Sequence, residues 1–256
     1  MKKILLASAA VILSGNAFAA KLPPKMPANV YAAAPVAPVS WTGCSVGVHA
    51  GAGWNHARFS DPSGFKIAPF GSTVNADSDP GLVGGVQLGC DYQFANNWVV
   101  GLAGDFSWAD ISHDEVDPFF AGKNAGAPLT VHARTKSLGS VTARLGYAWD
   151  RYLVYAKGGP AWARDEYSVN NFACFIFTAC NSNASASLSG WTAGGGFEWA
   201  LAPAWSVALE YGHYGFGTEN LLFVDPTKTF TATFGVKQDV DVVTIGINYR
   251  FGMPFR

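Results

Sequence analysis

His113, Asp114, Glu115 and Asp117 stand close enough in the chain for the three carboxylates to offer oxygen ligands to a divalent cation. A run of this type is more often a solvated surface loop, and no metal site is expected from it. The five histidines are scattered, with no metal-ligand spacing between any two. His213 could act as a general base, yet Tyr214 and Gly215 follow it and no serine stands beside it. Without a nucleophile–base constellation the sequence argues against an enzyme, and no cofactor is expected. Gly84-Gly85 and Gly194-Gly195-Gly196 lie inside alternating segments rather than ahead of helices, so they are not phosphate loops. What remains is a set of isolated charges and four cysteines, whose chemistry depends on the elements that carry them.

Those elements are strands. Between residues 45 and 55 the odd positions are Ser45, Gly47, His49, Gly51, Gly53 and Asn55, and the even ones Val46, Val48, Ala50, Ala52 and Trp54. Such alternation marks a strand with one apolar and one polar or small face. The pattern recurs at about 82–94, 98–110, 137–149, 152–162, 189–199, 205–213 and 239–251. Short turns sit at Ala95-Asn96-Asn97, Asp150-Arg151 and Leu201 to Ala204, and long polar loops fill about 55–81, 111–136, 163–188 and 214–238. The predicted fold is all-β: an eight-stranded antiparallel up-and-down barrel with tight turns at one end and long loops at the other. A soluble barrel would turn its apolar face inward around a ligand. Here the other face carries Gly, Ser, Thr and charged residues, which cannot form an oily calyx, so the apolar face points outward to lipid. Aromatics bound that face, with Trp98, Trp149, Trp199, Trp205, Tyr249 and Phe251 beside the short turns and Trp54, Trp108 and Trp162 at the opposite ends. Two aromatic girdles flanking an aliphatic band are what a bilayer selects.

The ends and the composition agree with this reading. Lys2 and Lys3 precede the apolar run Ile4 to Leu13, and Ala17-Phe18-Ala19 offers a cleavage site, so residues 1–19 read as a secretory signal peptide. Residues 20–40, rich in Pro and Ala, read as a periplasmic tether, 41–251 as the barrel and 252–256 as a short C-terminal extension. Only 14% of residues are charged, with 17 Lys+Arg against 18 Asp+Glu, which leaves no basic face for nucleic acid. The chain also has no apolar run long enough for a membrane helix.

The segments WTGCSVGVHAGAGW, GGVQLGCDYQFANNWVVGLAGDF, SVTARLGYAWDRYLVYAKGG, GWTAGGGFEW and VVTIGINYRF carry a resemblance. They are similar to the small bacterial outer-membrane β-barrel family of porin-family and outer-membrane immunogenic proteins, whose barrel is like that of outer membrane protein A. The resemblance implies an envelope structural protein and surface antigen in the cell outer membrane. It also leaves open a haem- or small-ligand-binding barrel, or a small porin. The loop aromatics Phe65, Phe70, Phe119, Phe120, Phe172, Phe175, Phe177, Phe223 and Phe230 could stack a porphyrin, or pack on each other or on lipopolysaccharide. The partners expected are outer-membrane lipid, lipopolysaccharide and the barrel-assembly machinery, with the barrel a monomer. Such barrels usually end on the aromatic of the last strand; here Gly252 to Arg256 follow Phe251, and Phe255 could substitute.

An exported chain meets an oxidising periplasm, so an even cysteine count favours disulfides. Cys174 and Cys180 would close a small ring in one loop. If positions 54 and 80 flank the first loop, antiparallel pairing sets Cys44 opposite Cys90, near enough to bridge. Inward parity falls on Asp105, Arg144, Lys157, Glu198 and Glu210 at similar depth, with Asp91 and Arg250 lower and His49 near the same band. Eight strands leave an interior only about wide enough for side chains. Buried charges are costly unless paired, so these are expected to form one salt-bridged network that closes the lumen, the alternative being a wet channel.

Overall fold

The computed structural model describes residues 39–60, 74–116, 130–170, 181–224 and 231–252. Residues 1–38, which include the expected leader and most of the expected tether, and residues 253–256, like Cys174 and Cys180, lie outside the described residues. The strands are β1 (Gly43–Ser60), β2 (Val74–Asp77), β3 (Gly81–Gln93), β4 (Trp98–Val116), β5 (Thr130–Trp149), β6 (Tyr152–Asn170), β7 (Asn181–Ala202), β8 (Trp205–Val224) and β9 (Thr231–Phe251). All neighbours are antiparallel, and β1 pairs with β9 as well as with β3. β2 and β3 lie along successive stretches of β1, so they form one stave and the closed barrel has eight. Closure is a physical requirement here, because hydrocarbon offers no partner to an unpaired backbone edge.

The tight turns follow from residue types that tolerate left-handed backbone. Asn97 has φ 69° between β3 and β4, and Asp150 has φ 52° between β5 and β6. In the first of these turns the Phe94 amide donates to the Trp98 carbonyl at 2.8 Å. Along each strand the outward residues are exposed to lipid, as with Leu82 at 78% and Leu102 at 65%. In β4 the girdle residues Trp98 and Trp108 are ten positions apart, as are Tyr152 and Trp162 in β6. At about 3.4 Å per residue and about 45° of tilt that separation spans roughly 24 Å, the height of an outer-membrane apolar band. The rings at the short-turn end contact one another: Trp205 with Tyr249 at 5.0 Å, Trp98 with Tyr147 at 5.8 Å and Tyr152 with Trp199 at 6.4 Å.

Two sequence expectations need correction. The strands extend well beyond the apolar alternation, so much of what reads as long loop is paired backbone, for example Ile111 to Val116 against Thr130 to Thr135. Beyond the bilayer the outward face meets water and loses its apolar residues, while the ladder of hydrogen bonds continues. The inward face is also not uniformly polar. At the short-turn end Trp41, Val99, Ala148, Leu153, Tyr155 and Ala200 pack together, with Val39 against them. Toward the long-loop end Val83, Ile111, Leu138, Leu188, Tyr214, Phe216, Val240 and Val242 belong to a second apolar layer. Two apolar layers therefore lie inside the barrel, one toward each end.

Candidate functional site

The inward charges named from the sequence lie between these layers in two centres, in which Arg144 and Glu198 join the lower Asp91 and Arg250 instead of sharing the depth of Asp105, Lys157 and Glu210. In the first, Arg144 on β5 donates to Asp91 on β3 at 3.2 Å and to Glu198 on β7 at 3.1 Å. Glu198 is the hub, for it also accepts from Arg250 at 3.2 Å, Asn248 at 3.2 Å and Ser206 at 2.5 Å. Arg144, Asp91 and Glu198 are almost wholly buried, with side-chain exposures of 8%, 2% and 1%. Such burial is tolerable because each charge faces an opposite one and Ser206 and Asn248 donate further to Glu198, whereas Asp91 Oδ1 is buried without a hydrogen-bond partner.

The second centre lies further along the axis. Lys157 on β6 donates to Glu210 on β8 at 2.5 Å and lies 3.9 Å from Asp105 on β4. Asp105 accepts from the Ser140 hydroxyl at 2.5 Å, and the Tyr155 hydroxyl donates to Glu210. Tyr155 joins the two centres, because the Arg144 guanidinium lies over its ring, 3.8 Å from the centroid. His49 pairs with neither set of charges directly. Its Nδ1 lies 3.0 Å from Gln87 Oε1 and its Nε2 2.7 Å from the Ser107 hydroxyl, and Gln87 donates to Asn248 at 2.6 Å.

Small residues make the room that this arrangement needs. A Cβ on Gly101 would stand 2.0 Å from the Asp91 carboxylate, and one on Gly196 would stand 2.5 Å from the Tyr155 hydroxyl. Two polar cavities remain beside Lys157 and Glu210, each with room for about one water molecule. Below them Arg250 lies 4.3 Å from the Trp41 ring, so the charged interval rests on the aromatic plug.

Sequence parity puts the inward charges, Tyr155 and Asn248 on the lumen face but identifies neither their partners nor Trp41. Parity is a property of one strand, whereas partners are set by how strands stagger around the closed barrel. Trp41 precedes the first strand and has no periodicity to reveal it. Outside the lumen, Cys44 and Cys90 form a disulfide, with Cα atoms 4.0 Å apart on directly paired positions of β1 and β3. His213 faces outward, with Nδ1 2.8 Å from the Asp241 carboxylate, which also accepts from the Tyr211 hydroxyl at 2.7 Å. No serine or cysteine bonds to His213 among the described residues. The side chains of His113, Asp114, Glu115 and Asp117 and of the loop phenylalanines lie outside the described residues.

Comparison with known proteins gives four findings. The family model of the outer membrane protein beta-barrel domain matches residues 27–251. The 31 kDa outer-membrane immunogenic protein of Brucella melitensis biotype 1 is 30% identical, over 98% of this chain and 100% of that protein. The 25 kDa outer-membrane immunogenic protein of Brucella abortus biovar 1 is 29% identical, over 98% and 99%. Among solved structures, the outer membrane protease OmpT from Escherichia coli superposes with a TM-score of 0.51 at 8% identity, covering 82% of this chain and 97% of that one. That likeness is one of fold alone.

Proposed function

The chain belongs to the outer membrane protein beta-barrel domain family, and from that premise we propose a non-catalytic, surface-exposed barrel that stiffens the envelope. It is an outer-membrane protein, so its short turns face the periplasm and its longer connections face outside. The observation that carries the proposal is the filled lumen. Arg144 and Lys157 each reach two carboxylates across the barrel, between two apolar layers, and the cavities beside Lys157 hold about one water each. A solute would have to break these pairs and displace the aromatic plug to pass. Relatives named as outer-membrane immunogenic proteins support an antigen-like surface role. Outer-membrane lipid, lipopolysaccharide and, during biogenesis, the assembly machinery are its proposed partners, and the barrel acts as a monomer.

Planar-bilayer recording tests the closed lumen. The unmutated protein is expected to give no steady conductance of porin size, and a lasting open state would overturn the reading in favour of a small porin. Haemin titration tests the competing ligand-binding role. Micromolar haemin added to the refolded protein is expected to keep the Soret band of free haemin, whereas a saturable shift would favour a haem-binding barrel.

A further inference from the structure

Outward-facing charges continue beyond the upper aromatic girdle, and their pairing differs around the barrel. On β4 to β6 opposite signs meet: Arg134 lies 3.0 Å from Asp110, and Lys136 lies 2.5 Å from Glu166. At the β1–β9 closure the register does the reverse and sets Arg58 directly opposite Lys237. Like charges directly opposed across two strands destabilise the pair. Lys237 has Asp239 at 3.6 Å, but no acidic side chain is paired with Arg58 among the described residues. His56, two positions nearer the bilayer on the same face, is half exposed, with Nε2 3.4 Å from Asp241. Asp239 and Asp241 thus pair with Lys237 and His56, and the register also sets Asp77 and Asp239 opposite His56, so Arg58 is the base of this group left without a paired acid among the described residues.

The height of this patch indicates its ligand. Arg58 is four positions beyond the girdle residue Trp54. At about 3.4 Å per residue and about 45° of tilt, that places it roughly 10 Å above the ring. Headgroups occupy about 5–8 Å beyond the hydrocarbon of each leaflet, within reach of a long basic side chain bending toward them. We propose that Arg58, Lys237 and His56 bind the phosphate groups of an outer-leaflet glycolipid. A phosphomonoester seated between Arg58 and Lys237 replaces a repulsive pair with a bridged one, and the Arg58 fork can meet two of its oxygens. The inference rests on the outer-membrane orientation given above.

The test uses the purified barrel refolded in phosphatidylcholine vesicles and titrated with bis-phosphorylated lipid A, its response read as a rise in thermal midpoint. Arg58→Gln with Lys237→Gln is expected to weaken the apparent affinity about thirtyfold, the loss of two basic contacts at a membrane surface. Arg134→Gln with Lys136→Gln, which removes bases already paired with acids, is expected to change it little. Dephosphorylated lipid A should give no rise. Equal responses from the unmutated and Arg58/Lys237 proteins would overturn the site, and an equal rise with inorganic phosphate would overturn the assignment to lipid. A barrel that inserts yet ignores lipid A overturns this site alone. Failure to insert would overturn the outer-membrane reading and the site with it.

Discussion

Replacing Arg144 by Met is expected to lower the unfolding free energy of the barrel by about 3–5 kcal/mol, the cost of breaking a buried ion pair from one side. Arg144 supplies donors to both Asp91 and Glu198, whose side chains are 2% and 1% exposed. Glu198 would keep Arg250 as a partner, but Asp91 would be left as a buried carboxylate beside Gly101 with no cation bonded to it. The expected result is a lower midpoint in urea with the barrel signature of the native state retained. Combining Arg144→Met with Asp91→Asn removes the orphaned charge and leaves Glu198 paired with Arg250, so much of the loss should return. Replacing both partners of a buried pair often costs little, whereas removing one strands the other. Lys157→Met should cost less, because Glu210 and Asp105 are 15% and 10% exposed. An Arg144→Met midpoint equal to that of the unmutated protein would show that the network contributes nothing to stability.

The same residues mark the limit of what the sequence discloses. Lipid imposes a period of two on every spanning strand, so parity, the outward girdle and the inward charges are legible from one chain. The register of β1 with β3 is legible too, because a hairpin flanked by known positions fixes each antiparallel pair, and Cys44 falls opposite Cys90. Pairing across the lumen is different. Arg144 meets Glu198 from two strands away through the interior, a contact governed by stagger and curvature that no local pattern encodes. Asn181 to Leu188 is also hard to read, for it extends β7 above the bilayer, where the outward Ser185 and Ser187 meet water and only the inward residues Ala186 and Leu188 are buried. Trp41 shows a third limit: it acts by filling the barrel mouth, and only the closed shape makes that mouth exist.

Loss of the Cys44–Cys90 disulfide is expected to cost about 2–4 kcal/mol, acting mainly through the unfolded chain. In the folded barrel β1 and β3 are already paired from Gly43 to Gly53, so the bond adds little to their alignment. Its effect lies in the unfolded chain, where it ties together residues separated by 46 positions, including the whole first long connection. Closing a loop of that length removes much of the unfolded chain's freedom, and a shorter loop would remove less. In denaturant titrations the Cys44→Ser/Cys90→Ser protein should therefore unfold at a lower midpoint. Its slope should be steeper, because a chain without the cross-link exposes more surface when it opens. Added reductant should move the unmutated protein toward the same curve. Coincident curves for the unmutated and doubly substituted proteins would remove the bridge as a source of stability. If reductant still destabilises the Cys44→Ser/Cys90→Ser protein, that further effect belongs to Cys174 and Cys180, the only other cysteines in the chain.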